Sequence, residues 1–131
     1  MSRENVEIVR SIYEAFNRRD WDAVFRDQRP DVELTTPPGP NAGAYRGREE
    51  VQGFWEEMLT AFDAASAEPE ELFESGEQVA VVVRARVRPK DSSAEVENRT
   101  GQLWTIRDGA VVSMRMFPQP EKTLEAAGLR D

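Results

Sequence analysis

Asn98, Thr100 and Gln102 occupy alternate positions in a run that also holds Val96, Trp104 and Ile106, so an extended backbone sets all six on one face. Trp104 and Ile106 mark that face as the inner one. A buried amide left without a partner costs on the order of 1 to 3 kcal/mol, and a purely structural core has little use for three polar residues in succession. An apolar hollow with a few converging hydrogen-bonding groups is how small-molecule sites are commonly built, and that is what the row suggests. The plainer alternative sets Asn98 and Thr100 at the open end of a sheet, hydrated and without function.

The chain has no His and no Cys. The usual near-neutral acid/base, the usual metal ligand, a thiolate nucleophile and disulfides are therefore all missing. General acid/base catalysis needs a titratable group at the reacting atom, and none falls on the inner faces. Carboxylates elsewhere, such as Asp31 or Asp63, would have to enter through a loop or helix turn. The acids do not cluster as a metal site requires, and Pro38-Gly39-Pro40 with Gly43 lacks the spacing of a phosphate cradle. Neither a metal nor a cofactor is expected.

Over 131 residues, 17 Lys and Arg stand against 25 Asp and Glu, a net charge of −8. With no basic cluster to neutralise phosphates, neither nucleic acid nor an anionic membrane surface is an expected partner. A composition of 39% hydrophobic and 32% charged residues describes one domain over residues 1–131 with a well-solvated surface. With no apolar signal region in the first residues and no window of the length of a membrane span, a cytoplasmic location is expected.

The elements that must position the row can be read from periodicity. Ser2 as N-cap, Glu4 in the first turn, and Val6, Val9, Ile12, Tyr13 and Phe16 at helical spacing predict a first helix ending near residues 17–19. Asp20 caps a short second helix with Trp21, Val24 and Phe25, stopping before Pro30. Residues 32–36 alternate as a strand, and Pro37 to Pro40 break it. Val51, Phe54, Trp55, Met58, Leu59 and Phe62 form the strongest helical stripe. Beyond it the period becomes two, predicting strands at 70–75, 79–88, 95–107 and 110–117 in an antiparallel meander with a hairpin turn at Asp108-Gly109. Residues 121–127 can form a last helical turn or two closed by Gly128.

In the 79–88 strand, Val79, Val81, Val83, Ala85 and Val87 share the inner face, while Arg84, Arg86 and Arg88 point outward toward Glu95 and Glu97 of the next strand, where opposite charges can pair. The outer face also carries Val82, Leu103 and Phe117. A mixed-sign patch with an apolar centre can be self-complementary, so a homodimer through this face is expected.

Four strings in order complete the reading: Glu4-Asn5-Val6 through Tyr13-Glu14-Ala15-Phe16-Asn17 with Asp20; Tyr45-Arg46-Gly47-Arg48-Glu49; Trp104-Thr105-Ile106-Arg107-Asp108-Gly109; and Leu124-Glu125-Ala126-Ala127-Gly128-Leu129. Together they resemble the SnoaL-like branch of the nuclear transport factor 2-like (NTF2-like), or ketosteroid isomerase-like, superfamily over nearly the whole chain. The resemblance implies an α+β, cystatin-like fold: a cone-shaped, curved antiparallel sheet with three helices packed across it, a pocket inside, and frequent homodimers. It implies function only weakly, because the fold hosts isomerases, cyclases, hydrolases and binding modules. Ketosteroid isomerase-like chemistry uses a carboxylate base and an oxyanion hole of tyrosine and protonated acid. By resemblance the tyrosine position falls at Ile12, one residue before Tyr13; the base position at Leu34 or Thr35; and the buried acid at Gln102.

The chain is therefore expected to bind a small apolar polycyclic or aromatic ligand, with Tyr13, Phe16, Trp21, Leu34, Trp55, Leu59, Asn98, Thr100, Gln102, Trp104, Met114 and Met116 lining the site. Two alternatives stay open: an isomerase- or cyclase-type enzyme acting on a carbonyl compound, with Tyr13 and Gln102 as its weak catalytic candidates, and a structural dimerisation module.

Overall fold

A computed structural model describes residues 2–37 and 43–129. The breaker run Pro38-Gly39-Pro40 and the capping side chain of Ser2 lie outside the described residues. Helix α1 spans Ser2–Arg18 and α2 Trp21–Phe25, with the Asp20 carboxylate accepting the Ala23 N–H at 3.2 Å as its N-cap. Between them Arg19 takes a positive φ of 59°, and the Arg19 and Asp20 N–H groups bond back to Phe16 and Ala15, closing α1 in a Schellman-type cap. The elbow expected from the sequence is thus made by one left-handed residue.

Six strands form one sheet: β1 (Gln28–Thr35), β2 (Ala44–Arg46), β3 (Phe62–Ser75), β4 (Gln78–Pro89), β5 (Val96–Arg107) and β6 (Ala110–Phe117), in the order β2-β1-β6-β5-β4-β3. The expected all-antiparallel sheet needs correcting, because β1 pairs with β6 in parallel. A parallel neighbour requires a long connection, and nearly the whole intervening chain serves as that connection. The turn at Asp108-Gly109 has positive φ at both residues, as a tight hairpin demands. Register shifts at Pro69/Glu71 in β3 and at Thr105/Ile106 in β5 bend the sheet.

Two more boundaries differ from the sequence reading. Strand β3 begins at Phe62 instead of residue 70, so Phe62 is not the last residue of the helical stripe; helix α3 runs from Gly47 to Leu59. Pro69 inside β3 is tolerated because β3 is an edge strand and the ladder is already interrupted beside it. The second helix ends at Phe25, and β1 starts at Gln28, ahead of Pro30.

Helices α1, α2 and α3 cover one face of the sheet. Val9, Ile12 and Ala15 of α1, Val24 and Phe25 of α2 and Val51 of α3 meet Val79, Val81, Val83, Trp104, Ile106, Val111 and Met114 in one buried cluster. A fourth helix, α4 (Pro120–Ala126), lies on the opposite face, where Ala80, Leu103 and Ala127 pack with Phe117 and Leu124. Gly128, at φ 77°, closes it, and the Leu129 N–H reaches back to Leu124 at 2.9 Å.

Candidate functional site

The inner row of β5 runs from solvent into the interior. Val96 and Asn98 are exposed, Thr100 is half-buried, and Gln102 and Trp104 are buried. Beside this row lies a cavity of about 270 Å³ that opens at the Val96 end. Its far wall comes from β3 and β4, where the register sets Ala67 against Ala85 and Ala65 against Val87, and Ala85 in turn against Asn98. Three alanines stand where a filled core would carry Leu or Ile, and their missing volume is what leaves the hollow. The remaining wall is Phe16 of α1, Trp55, Met58 and Leu59 of α3, Leu34 of β1, and Met114 and Met116 of β6.

The wall is fastened by polar groups on its outside. The Asn17 side chain accepts the Ala67 N–H at 2.9 Å and donates to the Ala67 carbonyl at 2.8 Å, pairing with β3 as another strand would. The Arg19 guanidinium donates to the carbonyls of Phe16 and Ala65, both at 2.7 Å. The end of α1 thereby holds the alanine wall at a fixed distance.

At the floor, the Trp104 indole N–H donates to the Tyr13 hydroxyl oxygen at 3.1 Å, and the Tyr13 hydroxyl donates to the Gln102 side-chain carbonyl. Tyr13 and Trp104 also meet edge to face at 5.9 Å between ring centres. Burial raises the Tyr13 pKa well above its ordinary 10.0, outweighing the opposite effect of the Trp104 hydrogen bond. The phenol is a neutral group at any physiological pH.

Among the described residues, Glu33 is the one carboxylate on the cavity's border, and it is an exposed residue whose Oε2 lies 3.9 Å from Arg46 Nε. Asp31 lies 3.9 Å from Arg46 as well, and Asp63 pairs with Arg88 at 3.8 Å and accepts the Asp91 N–H. None of the three carboxylates reaches the floor. Among the described residues, no three acidic side chains converge as they would on a metal ion.

Of the residues expected at the site, Tyr13, Phe16, Leu34, Trp55, Leu59, Asn98, Thr100, Gln102, Trp104, Met114 and Met116 all border this cavity. Trp21 does not border it: it packs edge-on against Phe16 at 5.8 Å, one layer behind the wall. Helical phase sets which way a side chain faces but not how deep it sits. Ala65 and Ala67 lie in the part of β3 that the sequence pattern does not announce; Ala85, Val83 and Val87 are expected on the inner face, and their small size next to the polar row is the available signal.

The outer face is occupied differently. Arg84 pairs with Glu68 and Arg99 with Glu70, both at 2.8 Å, Arg86 with Glu97 at 3.0 Å and Arg107 with Glu77 at 3.1 Å. Only Arg86–Glu97 joins β4 to β5 as the sequence suggested, because the register sets Arg84 opposite Arg99 and the acids of β3 answer both. The hydrogen bond from Arg84 pulls the Glu68 pKa below its usual range and raises that of Arg84. Of Val82, Leu103 and Phe117, expected as the apolar centre of a dimer contact, Val82 and Leu103 are buried within the chain, Leu103 beneath α4, and Phe117 is half-buried beside them.

The profile of the SnoaL-like domain family matches residues 9–114. Comparison with curated proteins returns no match. Among solved structures, an NTF2-like protein of unknown function from Burkholderia pseudomallei is similar at 28% identity and TM-score 0.81, over 93% of this chain and 95% of that one. TerC co-crystallised with polyporic acid superposes with TM-score 0.81 at 23% identity, over 95% and 98% of the two chains. A putative SnoaL-like polyketide cyclase from Jannaschia sp. CCS1 does so with TM-score 0.76 at 22% identity, over 99% and 95%. The last two likenesses speak for the fold alone.

Proposed function

This chain belongs to the SnoaL-like domain family, and we propose that it binds a small, uncharged, largely apolar ligand of aromatic or polycyclic shape in the cavity beside β5. One observation carries the reading: among the described residues, the ionisable side chain at the cavity floor is the Tyr13 phenol, which burial keeps neutral and whose proton is directed at Gln102. A phenol with so raised a pKa is suited to orienting a ligand and poorly matched to proton transfer near neutral pH. The volume, about 270 Å³, lies just below the roughly 300 to 1,000 Å³ of drug-sized sites, so a compact ring system fits better than a long one. Met58, Met114 and Met116 give the wall a flexible, polarisable lining that adapts to ring edges. That this fold accepts a small molecule in other proteins is exemplified by TerC with polyporic acid.

A thermal-shift screen of aromatic and terpenoid compounds tests the proposal. Saturable increases in Tm are expected from flat apolar members; no shift across the library, together with a crystal interior filled by the protein's own side chains, would sink it. Assaying Δ5-3-ketosteroid isomerisation with Gln102→Ala as control separates the enzyme reading, since activity abolished in the variant would establish catalysis at this floor.

Assembly belongs to the same proposal. With Leu103 under α4, a homodimer through the outer face would rest on the alternating charges of Arg84, Arg86, Arg88, Glu97 and Arg99. A monomer mass by light scattering at micromolar concentration would remove it.

A further inference from the structure

Valine lines the inner face of β4 with a single interruption. Val79, Val81, Val83 and Val87 are broken by Ala85, and the residue paired with Ala85 across the ladder is Ala67 of β3. Alanine is depleted in strands, where side chains gain by packing on their cross-strand neighbours, so two alanines directly opposed give up packing that the surrounding valines obtain. The edge of the filled core falls between two successive inner positions of β4. Val83 is 2% exposed, whereas Ala85, about 7 Å further along, is half-buried, although it lies between two paired strands and is the smaller residue. A small side chain that stays accessible on the inner face of a central strand has open space standing on it, and both alanines border the cavity.

That space is not free to close. A void persists to the extent that the structure around it cannot collapse. Here Ala85 is held in the ladder by Ala67 on one side and Asn98 on the other, and the Asn17 side chain bonds both the N–H and the carbonyl of Ala67, at 2.9 and 2.8 Å. Arg19 binds the Ala65 and Phe16 carbonyls, so the end of α1 that carries the Phe16 ring is tied to the same strand. With the backbone held, the length of the two side chains decides the room. We infer that Ala67 and Ala85 are the specificity-determining residues of the cavity: they leave a notch in the sheet that seats one ring of the ligand, so the site prefers a fused tricyclic compound to the bicyclic compound with the same polar group.

Selection by size has a signature that polar recognition lacks. A longer apolar side chain at either position takes the seat of the ring and supplies the missing packing itself, so affinity falls while stability rises. Loss of a polar contact, or general damage to the wall, lowers affinity without raising stability.

This inference rests on the binding role proposed above, and two ketones test the two separately. 9-Fluorenone and 1-indanone carry the same carbonyl group, and indanone lacks one benzo ring. Equilibrium dialysis against the full chain is expected to give fluorenone roughly tenfold tighter than indanone. In Ala85→Leu, and likewise in Ala67→Leu, fluorenone should weaken roughly 10- to 100-fold and indanone by less than about threefold, reversing the order, while Tm without ligand rises by about 2 to 5 °C. The smaller change Ala85→Val should move both quantities in the same directions by less. Ala64→Leu, on the exposed opposite face of β3 beside Arg88, should leave both affinities as they are. Equal affinities in the unmodified protein, equal weakening of both ketones in the leucine variants, or a lower Tm in Ala85→Val and Ala85→Leu alike would overturn the notch while leaving the cavity as a binding site. Binding of neither ketone to the unmodified protein would overturn both.

Discussion

The two faces of the sheet handle polar side chains in opposite ways. On the outer face each of Arg84, Arg86, Arg99 and Arg107 has a carboxylate within 3.1 Å, and α4 covers the apolar remainder. On the inner face Gln102, Thr100 and Asn98 border an unfilled space, and Ala65, Ala67 and Ala85 keep it unfilled. The charges of the outer face are answered within the chain, whereas the inner face encloses a space that its own side chains leave unfilled. Substitutions should therefore cost stability on the outer side and selectivity on the inner side.

The largest effect is expected beneath α4. Leu103 is 1% exposed, and Leu103→Glu would bury an unpaired charge, destabilising the fold by on the order of 3 to 5 kcal/mol in urea unfolding. A stable monomeric variant would instead return Leu103 to the surface role that its sequence position suggests. Next comes Gly101, where an added Cβ would lie 1.7 Å from Thr123 Oγ1 and 3.3 Å from Pro120 Cα. Gly101→Ala should cost about 1 to 3 kcal/mol by forcing α4 away from the sheet, read from the denaturation midpoint. Thr123 Oγ1 is buried without a partner among the described residues, so Thr123→Val should stabilise by about 1 kcal/mol.

Tyr13 gives a pH dependence with a definite sign. Its folded-state pKa is raised, so the native state holds the proton more tightly than the unfolded chain does. Its contribution is constant below about pH 10 and is lost as pH rises above that value. Alkaline unfolding followed by circular dichroism should be shallower in Tyr13→Phe than in the unmodified protein, and identical curves would deny the burial effect. The smallest change is expected for Arg86→Ala, whose exposed pair with Glu97 is worth about 0.2 to 1 kcal/mol.

The parity of β4 and β5 was legible because Val, Trp and Ile alternate there with Arg and Glu, and alternation leaves little choice of face. The first half of β3 was not, since Phe62-Asp63-Ala64-Ala65-Ser66-Ala67-Glu68-Pro69 lacks the β-branched residues that announce a strand and is held by the neighbouring β4 and by Asn17. That gap concealed the alanine wall, and with it the reason the hollow exists. The parallel pairing of β1 with β6 joins segments far apart in sequence, which no local pattern encodes. Gly101 in a strand interior was a readable sign of close backbone approach, and it marks the seat of α4.

The central claim is that the inner face is an uncharged ligand site, and calorimetric titration with 9-fluorenone at about pH 6 and about pH 9 tests it most directly. The account predicts saturable binding of one molecule per chain with the same affinity at both, because burial keeps the Tyr13 phenol at the cavity floor protonated throughout that interval. No saturable binding, or an affinity that changes roughly tenfold across that interval, would contradict it.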